Sequence, residues 1–150
     1  MKVLMVCLGN ICRSPLAEGI LKHKIKAASK NWIVDSAGTG GWHSGELPDK
    51  RSVAVAKKYG IDITDQRARR VRSSDFEDFD LIFAMDTSNY NDLQKWTLDD
   101  NEKQKIKLIM QEVYPHERHS VPDPYYNDNG FEEVYAMLEV ACENIISRYG

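Results

Sequence analysis

Short apolar runs alternate with longer amphipathic segments, and this pattern predicts an α/β protein. Four runs, each bounded by polar or glycine-rich turns, have the length of buried strands. Between two of them, Leu16, Ile20, Leu21 and Ile25 recur at the spacing of one helical face. The predicted strands cover residues 2–6, 31–39, 78–86 and 105–110.

Residues with capping chemistry mark the helix ends. We expect Ser14 to be the N-cap of the first helix, with Pro15 at its first helical position. Pro48 opens the second helix and Gly60 follows its last turn. The remaining predicted helices start near Thr87 and span residues 131–150, the latter after a loop at 121–130.

Strands that alternate with helices pair in parallel through right-handed crossovers. In such sheets, ligands bind beyond the carboxyl ends of the strands, near the point where the strand order reverses. The segment after the first strand lies at such an end. No repeat, low-complexity tract or linker interrupts the 150 residues, so we expect residues 1–150 to form one domain.

The composition is that of an ordinary globular protein, with 42% hydrophobic and 29% charged residues. A net charge of -3 argues against a general nucleic-acid or anionic-membrane partner, and we expect neither. The N-terminal apolar run is too short for a secretory signal. Three cysteines, an odd number, do not suggest a disulfide framework. We therefore expect a cytoplasmic protein whose useful cysteines act as thiols.

The stretch VCLGNICRSP, residues 6–15, carries more chemistry than a turn needs. If the backbone curls after Cys7, its N–H groups would form an anion nest at a helix N-terminus. Gly9 allows close approach of the backbone, and Asn10 tolerates the left-handed conformation that a tight loop requires. The loop therefore suits a tetrahedral oxyanion.

Arg13 can bind two oxygens of that anion bidentately. The same positive field would favour the thiolate form of Cys7, and the Ser14 hydroxyl could donate to it. A thiolate beneath a bound phosphate is a nucleophile aimed at phosphorus. The predicted phosphate-binding residues are Leu8, Gly9, Asn10, Ile11, Cys12, Arg13 and Ser14.

Transfer of an aryl phosphate also needs an acid that protonates the leaving oxygen. The segment VPDPYYND supplies Asp123, held between Pro122 and Pro124, which stiffen the loop. Tyr125 and Tyr126 follow, and either ring could form a wall for a phenyl group. We therefore expect an acid and an aromatic slot opposite the nucleophile.

Together these motifs resemble the low-molecular-weight protein tyrosine phosphatases. CLGNICRSP and the distant DPYY carry the likeness, and DSAGTGGW, GIDI, RARR and FAMDTSN extend it over the whole chain. The resemblance implies an open four-stranded parallel sheet flanked by helices, a flavodoxin-like three-layer sandwich. It implies neither a metal nor a cofactor.

The resemblance also implies a phosphocysteine intermediate on Cys7. Asp123 would protonate the tyrosine oxygen and then activate water, while Arg13 binds phosphate, Asn10 holds the loop and Ser14 assists the leaving thiolate. The substrate would be a tyrosine-phosphorylated protein or a small aryl phosphate. Inorganic phosphate would be both product and inhibitor.

Other positions match supporting residues of the family. By resemblance, Ser36 and Asp86 support the phosphate loop through hydrogen bonds, and Trp42 helps to choose substrates. Cys12 matches a cysteine that forms a reversible protective disulfide with the nucleophile. One departure is Gln66, which stands where the family often has histidine, so support of the loop must differ here.

Several residues also have plainer interpretations. Cys142 lies in the terminal amphipathic helix, where core packing is expected. The RARRVR segment, residues 67–72, is expected to be solvated or ion-paired, with an accessory role in phosphate binding as the alternative. The histidines have no metal-ligand spacing, so we assign no metal. The plain alternatives are packing for Cys12, Trp42, Tyr125 and Tyr126, and capping for Ser36 and Asp86.

Two other functions compete with phosphatase activity. An arsenate reductase can share this scaffold, but its thioredoxin-coupled form needs two further cysteines after the third strand, and residues 85–104 contain none. Arsenate reduction with an external thiol needs no such pair and stays an alternative. A silent phosphotyrosine-binding module would keep Arg13 but not both Cys7 and Asp123, and this chain has both. Phosphatase activity is therefore the preferred hypothesis.

Overall fold

The computed structural model describes residues 1–150 and contains one four-stranded parallel sheet between two layers of helices. The predicted strands and the four predicted helices are all present. In chain order the elements are β1 (Lys2–Cys7), α1 (Arg13–Ala27), β2 (Ile33–Gly38), α2 (Lys50–Lys58), α3 (Asp75–Asp78), β3 (Leu81–Ala84), α4 (Thr87–Trp96), α5 (Asp100–Lys105), β4 (Ile106–Leu108), a 3₁₀ helix (Ile109–Glu112) and α6 (Gly130–Tyr149).

Both faces of the sheet are buried, which explains why β1 and β3 are nearly continuous apolar runs rather than alternating ones. In β1, Val3 and Met5 join the larger hydrophobic core, on the side of α1 and α6, while Leu4 and Val6 join a smaller core on the opposite side. No helix is long and apolar enough to cross a lipid bilayer.

The N-cap predicted at Ser14 is wrong. Helix α1 starts at Arg13, two residues before the predicted first position at Pro15; its N-cap position is Cys12, and no side chain caps it. The Ser14 hydroxyl instead contacts the Cys7 sulfur. Pro15 still lies in the first turn, where its missing N–H costs nothing.

Helix α2 starts at Lys50, two residues after the predicted start at Pro48, whereas its C-terminal end is the predicted one. Asp49, directly after Pro48, is the N-cap of α2, and its carboxylate accepts from the Arg51 amide. Gly60 follows the C-terminal end of α2 with φ +82°, the left-handed conformation that favours glycine. Two short helices, α3 and α5, and the 3₁₀ helix lie where no helix was predicted.

Strand order places the loop after β1 at the centre of one sheet edge. The order is β2-β1-β3-β4, so the chain leaves β1 towards β2 on one side, while β3 lies on the other. The carboxyl ends of β1 and β3 therefore flank the point where the strand order reverses, the usual position of a ligand crevice. The segment predicted to bind phosphate starts there.

Gly38 is the residue at which β2 approaches this loop most closely. A Cβ on Gly38 would lie 2.7 Å from the Leu8 carbonyl oxygen and 3.2 Å from the Asn10 amide nitrogen, both backbone atoms. A Cβ on Gly41 would lie 3.5 Å from its nearest neighbour, the Arg70 Cδ, which is an ordinary van der Waals contact. A methyl group therefore has no room at Gly38 but fits at Gly41.

We expect Gly38→Ala to lower the free energy of unfolding by about 1–3 kcal/mol, because the backbone of the loop must shift. The matched variant Gly41→Ala should stay within about 0.5 kcal/mol of the parent. Urea denaturation of both variants checks this. Equal stability of the two variants would show that the close approach at Gly38 is not a constraint.

Candidate active site

The backbone of the loop after β1 is polarised, with three of its carbonyls bonded to backbone amides and its own amides free. The carbonyl oxygens of Cys7 and Leu8 accept from the amides of Thr39 and Gly40, and the Ile11 carbonyl accepts from the Asp49 amide. No amide from residue 8 to residue 13 donates to an acceptor within the protein. These N–H groups are available to an anion at the N-terminus of α1.

The Asn10 side chain holds the loop in shape. Asn10 has φ +57°, the left-handed conformation expected from the sequence. Its amide nitrogen Nδ2 donates to Ser14 Oγ at 2.8 Å and to Ser36 Oγ at 2.9 Å. Its Oδ1 accepts from the Arg69 backbone amide at 3.0 Å. Asn10 therefore ties the loop to α1, to β2 and to the segment that follows α2.

The two bonds donated by Asn10 set the direction of the hydrogen bonds beyond it. Each serine oxygen accepts from Asn10, so each hydroxyl proton is free to be donated elsewhere. Ser14 lies 3.0 Å from the Cys7 sulfur, and Ser36 donates to Glu18 Oε1 at 2.7 Å. The chain of bonds thus directs a donor at Cys7.

Glu18 was not found from the sequence, where it looks like one more polar helix residue. It is buried in α1 and also pairs with Lys22. Burial raises the pKa of Glu18, and the hydrogen bonds from Lys22 and Ser36 oppose that rise. Its partner Ser36 does support the loop, as the resemblance implied, through a contact with Asn10 rather than with the anion site.

Arg13 is fixed by one edge of its guanidinium. Nη1 donates to Asp86 Oδ2 at 2.6 Å and to the Val121 carbonyl at 3.0 Å. The Nε atom is buried without a partner, and Nη2 makes no hydrogen bond. The Nε–Nη2 edge is therefore the one left to bind two oxygens.

Arg13 is also charged in spite of its burial. Only 2% of its side chain is exposed, and burial opposes the charge. The interactions with Cys7, Asp86 and Asp123 outweigh that effect and raise the pKa of Arg13 above its usual value. Asp86 has both roles considered from the sequence, because it also caps α4 by accepting from the Asn89 amide.

Asp123 lies on the loop before α6, across from Arg13. Its Oδ2 is 3.7 Å from Arg13 Nη2, and 44% of its side chain is exposed. Its Oδ1 accepts from the Tyr125 amide at 3.1 Å, an Asx turn that fixes the carboxyl. The Val121 carbonyl, two residues earlier, bonds Arg13. Arg13 thus bonds both Asp86, which follows β3, and the loop that carries Asp123.

A cavity of about 230 Å³ joins these groups. Aromatic rings form its outer wall, and Trp42 and Tyr126 are 72% and 95% exposed. Tyr125 and Tyr126 pack edge to face at 4.9 Å, and the Arg51 guanidinium lies over the Tyr125 ring. The lining residues are Cys7, Leu8, Gly9, Ile11, Cys12, Arg13, Trp42, His43, Asp123, Tyr125 and Tyr126.

His43 was not singled out from the sequence except as a residue without metal-ligand spacing. Its ring lines the cavity, and its Nδ1 lies 2.9 Å from Glu46 Oε2. A Cβ on Gly9 would lie 3.1 Å from His43 Cδ2, so the His43 ring can pack here because residue 9 has no side chain. A larger cavity of about 680 Å³, between α1 and α6, contains none of the predicted site residues.

Gln66 lies near the loop but does not contact Asn10. Its Nε2 donates to the Pro15 carbonyl at 3.1 Å, and its Oε1 is buried without a partner. Within the RARRVR segment, Arg69 is ion-paired as expected, with Asp35 at 3.0 Å and Asp75 at 2.9 Å. These pairs fix the backbone whose amide bonds Asn10, a role that the sequence did not reveal.

The three cysteines are free and buried, but their surroundings differ. Burial, with the nearby charges of Asp49 and Cys7, raises the pKa of Cys12 to about 12. Cys142 is fully buried in α6, where burial also raises its pKa, which agrees with the expected core role. Only Cys7 and Cys12 line the cavity.

Comparisons with known proteins identify one matching family. The family described as "Low molecular weight phosphotyrosine protein phosphatase" matches residues 2–149. A protein of that name from Schizosaccharomyces pombe is 40% identical, over 97% of this chain and 94% of its own.

Two solved structures superimpose over nearly the whole chain. A protein tyrosine phosphatase from Entamoeba histolytica, with Hepes in its active site, has a TM-score of 0.92 and 43% identity, covering 99% of this chain and 96% of its own. A Drosophila arginine phosphatase has a TM-score of 0.92 and 38% identity, covering 99% of this chain and 98% of its own.

The difference between the thiols predicts selective alkylation. At neutral pH, iodoacetamide should modify Cys7, which lies beside the free loop amides and the Ser14 hydroxyl, while Cys12 and Cys142, whose pKa values are raised, stay unmodified. Inorganic phosphate should protect Cys7. Peptide mapping by mass spectrometry measures each site, and labelling of Cys12 as fast as Cys7 would contradict the prediction.

Proposed function

The chain belongs to the low molecular weight phosphotyrosine protein phosphatases, and on that premise we propose how residues 1–150, as one domain, carry out the hydrolysis. Cys7 is the nucleophile, Arg13 and the loop amides bind the phosphoryl group, and Asp123 is the general acid and base. The observation that carries this proposal is the free Nε–Nη2 edge of Arg13 beside unbonded amides and the Cys7 sulfur.

Binding of the phosphate dianion uses groups that are already oriented. The amides of residues 8 to 13 lie at the N-terminus of α1, where the helix dipole favours negative charge. The free edge of Arg13 adds two charge-assisted hydrogen bonds to equatorial oxygens. Because these donors need no rearrangement, they can stabilise the charge of the transition state as well as the bound substrate.

In the first step, the Cys7 thiolate attacks phosphorus and the bond from phosphorus to the phenolic oxygen breaks. Asp123 gives its proton to that oxygen, so the tyrosine leaves as a neutral phenol. Cys7 then carries the phosphoryl group. The Ser14 hydroxyl, 3.0 Å from the sulfur, stabilises the thiolate before attack.

In the second step, water attacks the phosphocysteine. The Asp123 carboxylate accepts the proton of the water, the bond from sulfur to phosphorus breaks, and inorganic phosphate leaves. Ser14 again donates to the sulfur, which departs as a thiolate. The cycle restores both starting protonation states without a cofactor. Inorganic phosphate, which fits the same donors, is both product and inhibitor.

The shape of the cavity favours an aryl phosphate. Trp42, Tyr125 and Tyr126 present aromatic faces around the entrance, which suits the ring of a phosphotyrosine. Tyr126 and Trp42 are largely exposed, so they can contact either a protein or a small molecule. Phosphotyrosine proteins and small aryl phosphates are therefore the proposed substrates.

The two competing functions have less support. For arsenate reduction, Cys142 is the sole cysteine outside the loop, and it is fully buried in α6 with a raised pKa. It offers no route for passing a disulfide on. For a silent binding module, the retained pair of Cys7 and Asp123 around one cavity is unexplained.

The proposed chemistry also favours a reducing compartment. Cys7 must stay a thiol, and the cytoplasm keeps thiols reduced. All three cysteines are free in the structure. We therefore propose a cytoplasmic location on the basis of the reaction.

We predict that Cys7→Ser abolishes turnover of para-nitrophenyl phosphate but keeps binding of inorganic phosphate.

Asp123→Ala and Asp123→Asn should each slow hydrolysis of phenyl phosphate by about 10²–10⁴-fold, the usual effect of general acid catalysis. The loss should be smaller for leaving groups of low pKa, which need no proton. Steady-state kinetics over a series of aryl phosphates measures this.

Asp123→Asn is the matched variant, because its side-chain oxygen can still accept from the Tyr125 amide. If Asp123→Asn retained normal activity while Asp123→Ala lost it, the carboxyl would have only a structural role. Parallel assays with phosphoarginine and arsenate test the substrate. Turnover of either one without hydrolysis of aryl phosphates would overturn the proposed activity.

A redox prediction follows from the two thiols at one cavity. Peroxide should oxidise the Cys7 thiolate to a sulfenic acid, and Cys12 should displace water to form a disulfide that a dithiol reduces. In Cys12→Ser, oxidation should continue beyond the sulfenic acid, so less activity returns after reduction. Equal recovery of both proteins would contradict a protective role of Cys12.

A further inference from the structure

A second cleft, which the proposed mechanism does not use, lies beside the catalytic cavity. It has a volume of about 430 Å³ and combines arginine side chains with an aromatic ring. It lies between the RARRVR segment, which follows α2, and the end of α4. The lining residues are Arg70, Val71, Arg72, Ser73, Phe76 and Trp96.

The positive charge in this cleft is largely unpaired. The Arg70 guanidinium makes no hydrogen bond or ion pair in the protein, and it lies over the Trp96 ring with 5.8 Å to the centroid. Arg72 reaches only Asp75, at 3.9 Å, and that carboxylate is already bonded to Arg69 at 2.9 Å. The stacked Arg70 is held in place while its N–H groups stay available to a carboxylate.

Lys105 brings a further positive charge close to the cleft without lining it. Its Nζ donates to the Phe76 carbonyl at 2.6 Å, so the ammonium lies beside a residue that lines the cleft. The cleft is therefore cationic although the whole chain has a net charge of -3. Its lining contains no acidic residue.

Strand register places the backbone of Arg70 two strand spacings from that of Cys7. Cys7 pairs with Gly38 across β1 and β2, and Gly38 forms a bridge with Arg70. Neighbouring strands lie about 4.8 Å apart, which puts the Arg70 Cα roughly 10 Å from the Cys7 Cα. The Arg70 side chain passes Gly41, next to Trp42 at the cavity rim. The cleft and the catalytic cavity are thus neighbours.

We infer that the cleft of Arg70, Arg72 and Trp96 binds acidic side chains of the substrate that flank the phosphotyrosine. An extended peptide rises about 3.3 Å per residue, so roughly 10 Å corresponds to a glutamate or aspartate about three positions away. The inference rests on the proposed function, since it needs a phosphotyrosine seated over Cys7. It defines the substrate class as acidic phosphotyrosine segments.

The test compares phosphotyrosine peptides with glutamates two to four residues away, on either side, and the same peptides with glutamines. In the parent enzyme, the acidic peptides should have a kcat/KM about 1.5- to 5-fold higher at low salt, the range expected for exposed charge pairs. The preference should vanish near 1 M salt, where the Debye length is about 3 Å. Arg70→Gln and Arg72→Gln should each reduce the ratio towards one.

Arg67→Gln is the matched control. Arg67 belongs to the same basic segment, but its guanidinium donates to the carbonyls of Thr64 and Gln66 and does not line the cleft. This variant should keep the preference. An equal loss in Arg67→Gln would assign the effect to net charge and overturn the inference, as would equal kcat/KM values for both peptide sets in the parent enzyme.

Hydrolysis of para-nitrophenyl phosphate by the parent enzyme distinguishes failure of the acidic subsite from failure of the proposed function. Turnover of that compound without a preference for acidic peptides would refute the acidic subsite and leave the proposed function standing. No turnover of any aryl phosphate would refute the function itself. Arg70-dependent binding to phosphatidylserine vesicles, without peptide preference, would assign the cleft to a membrane surface and overturn the inference.

Discussion

The left-handed turn at Asn10 is the constraint on which the rest of the site depends. A non-glycine residue in that conformation costs roughly 1–2 kcal/mol, and three hydrogen bonds of its side chain offset the cost. The turn sends the loop carbonyls to Thr39, Gly40 and Asp49 and leaves the amides free. The anion site is therefore a consequence of how one side chain is bonded.

Buried charge around the loop is arranged so that each group has a partner on another element. Arg13 on α1 meets Asp86 at the end of β3, and Glu18 on α1 meets Ser36 on β2. Such pairs stabilise the fold little in themselves, because desolvation opposes their attraction. Their effect is to fix the orientation of donors, with Arg13 presenting one edge to the cavity. A preorganised field is what phosphoryl transfer requires from a protein.

Sequence reasoning succeeded where one residue type has one physical use. The apolar runs indicated the strands, and the cysteine, arginine and distant aspartate indicated a site that the fold brings to one cavity. Asn10 was assigned its conformation because few side chains tolerate it. The resemblance added the supporting residues Ser36 and Asp86, which do bond Asn10 and Arg13.

The remainder depends on long-range contacts that no local pattern encodes. Serine is a common N-cap residue, but the hydroxyl of Ser14 is hydrogen-bonded to Asn10 and Cys7 instead. Glu18 and Arg69 look like ordinary surface residues until β2 and the segment after α2 are in place. The short helices α3 and α5 lack the apolar periodicity that signals longer ones.

The most direct test of phosphoryl transfer through Cys7 is to identify the atom that carries the phosphoryl group during turnover. Rapid acid quenching of the enzyme with a phosphotyrosine peptide, followed by proteolysis and mass spectrometry, locates that group. We expect a single phosphorylated peptide, the one containing Cys7, in the parent enzyme and no phosphorylated peptide in Cys7→Ser. A phosphoryl group on any other residue, or steady turnover by Cys7→Ser, would contradict it.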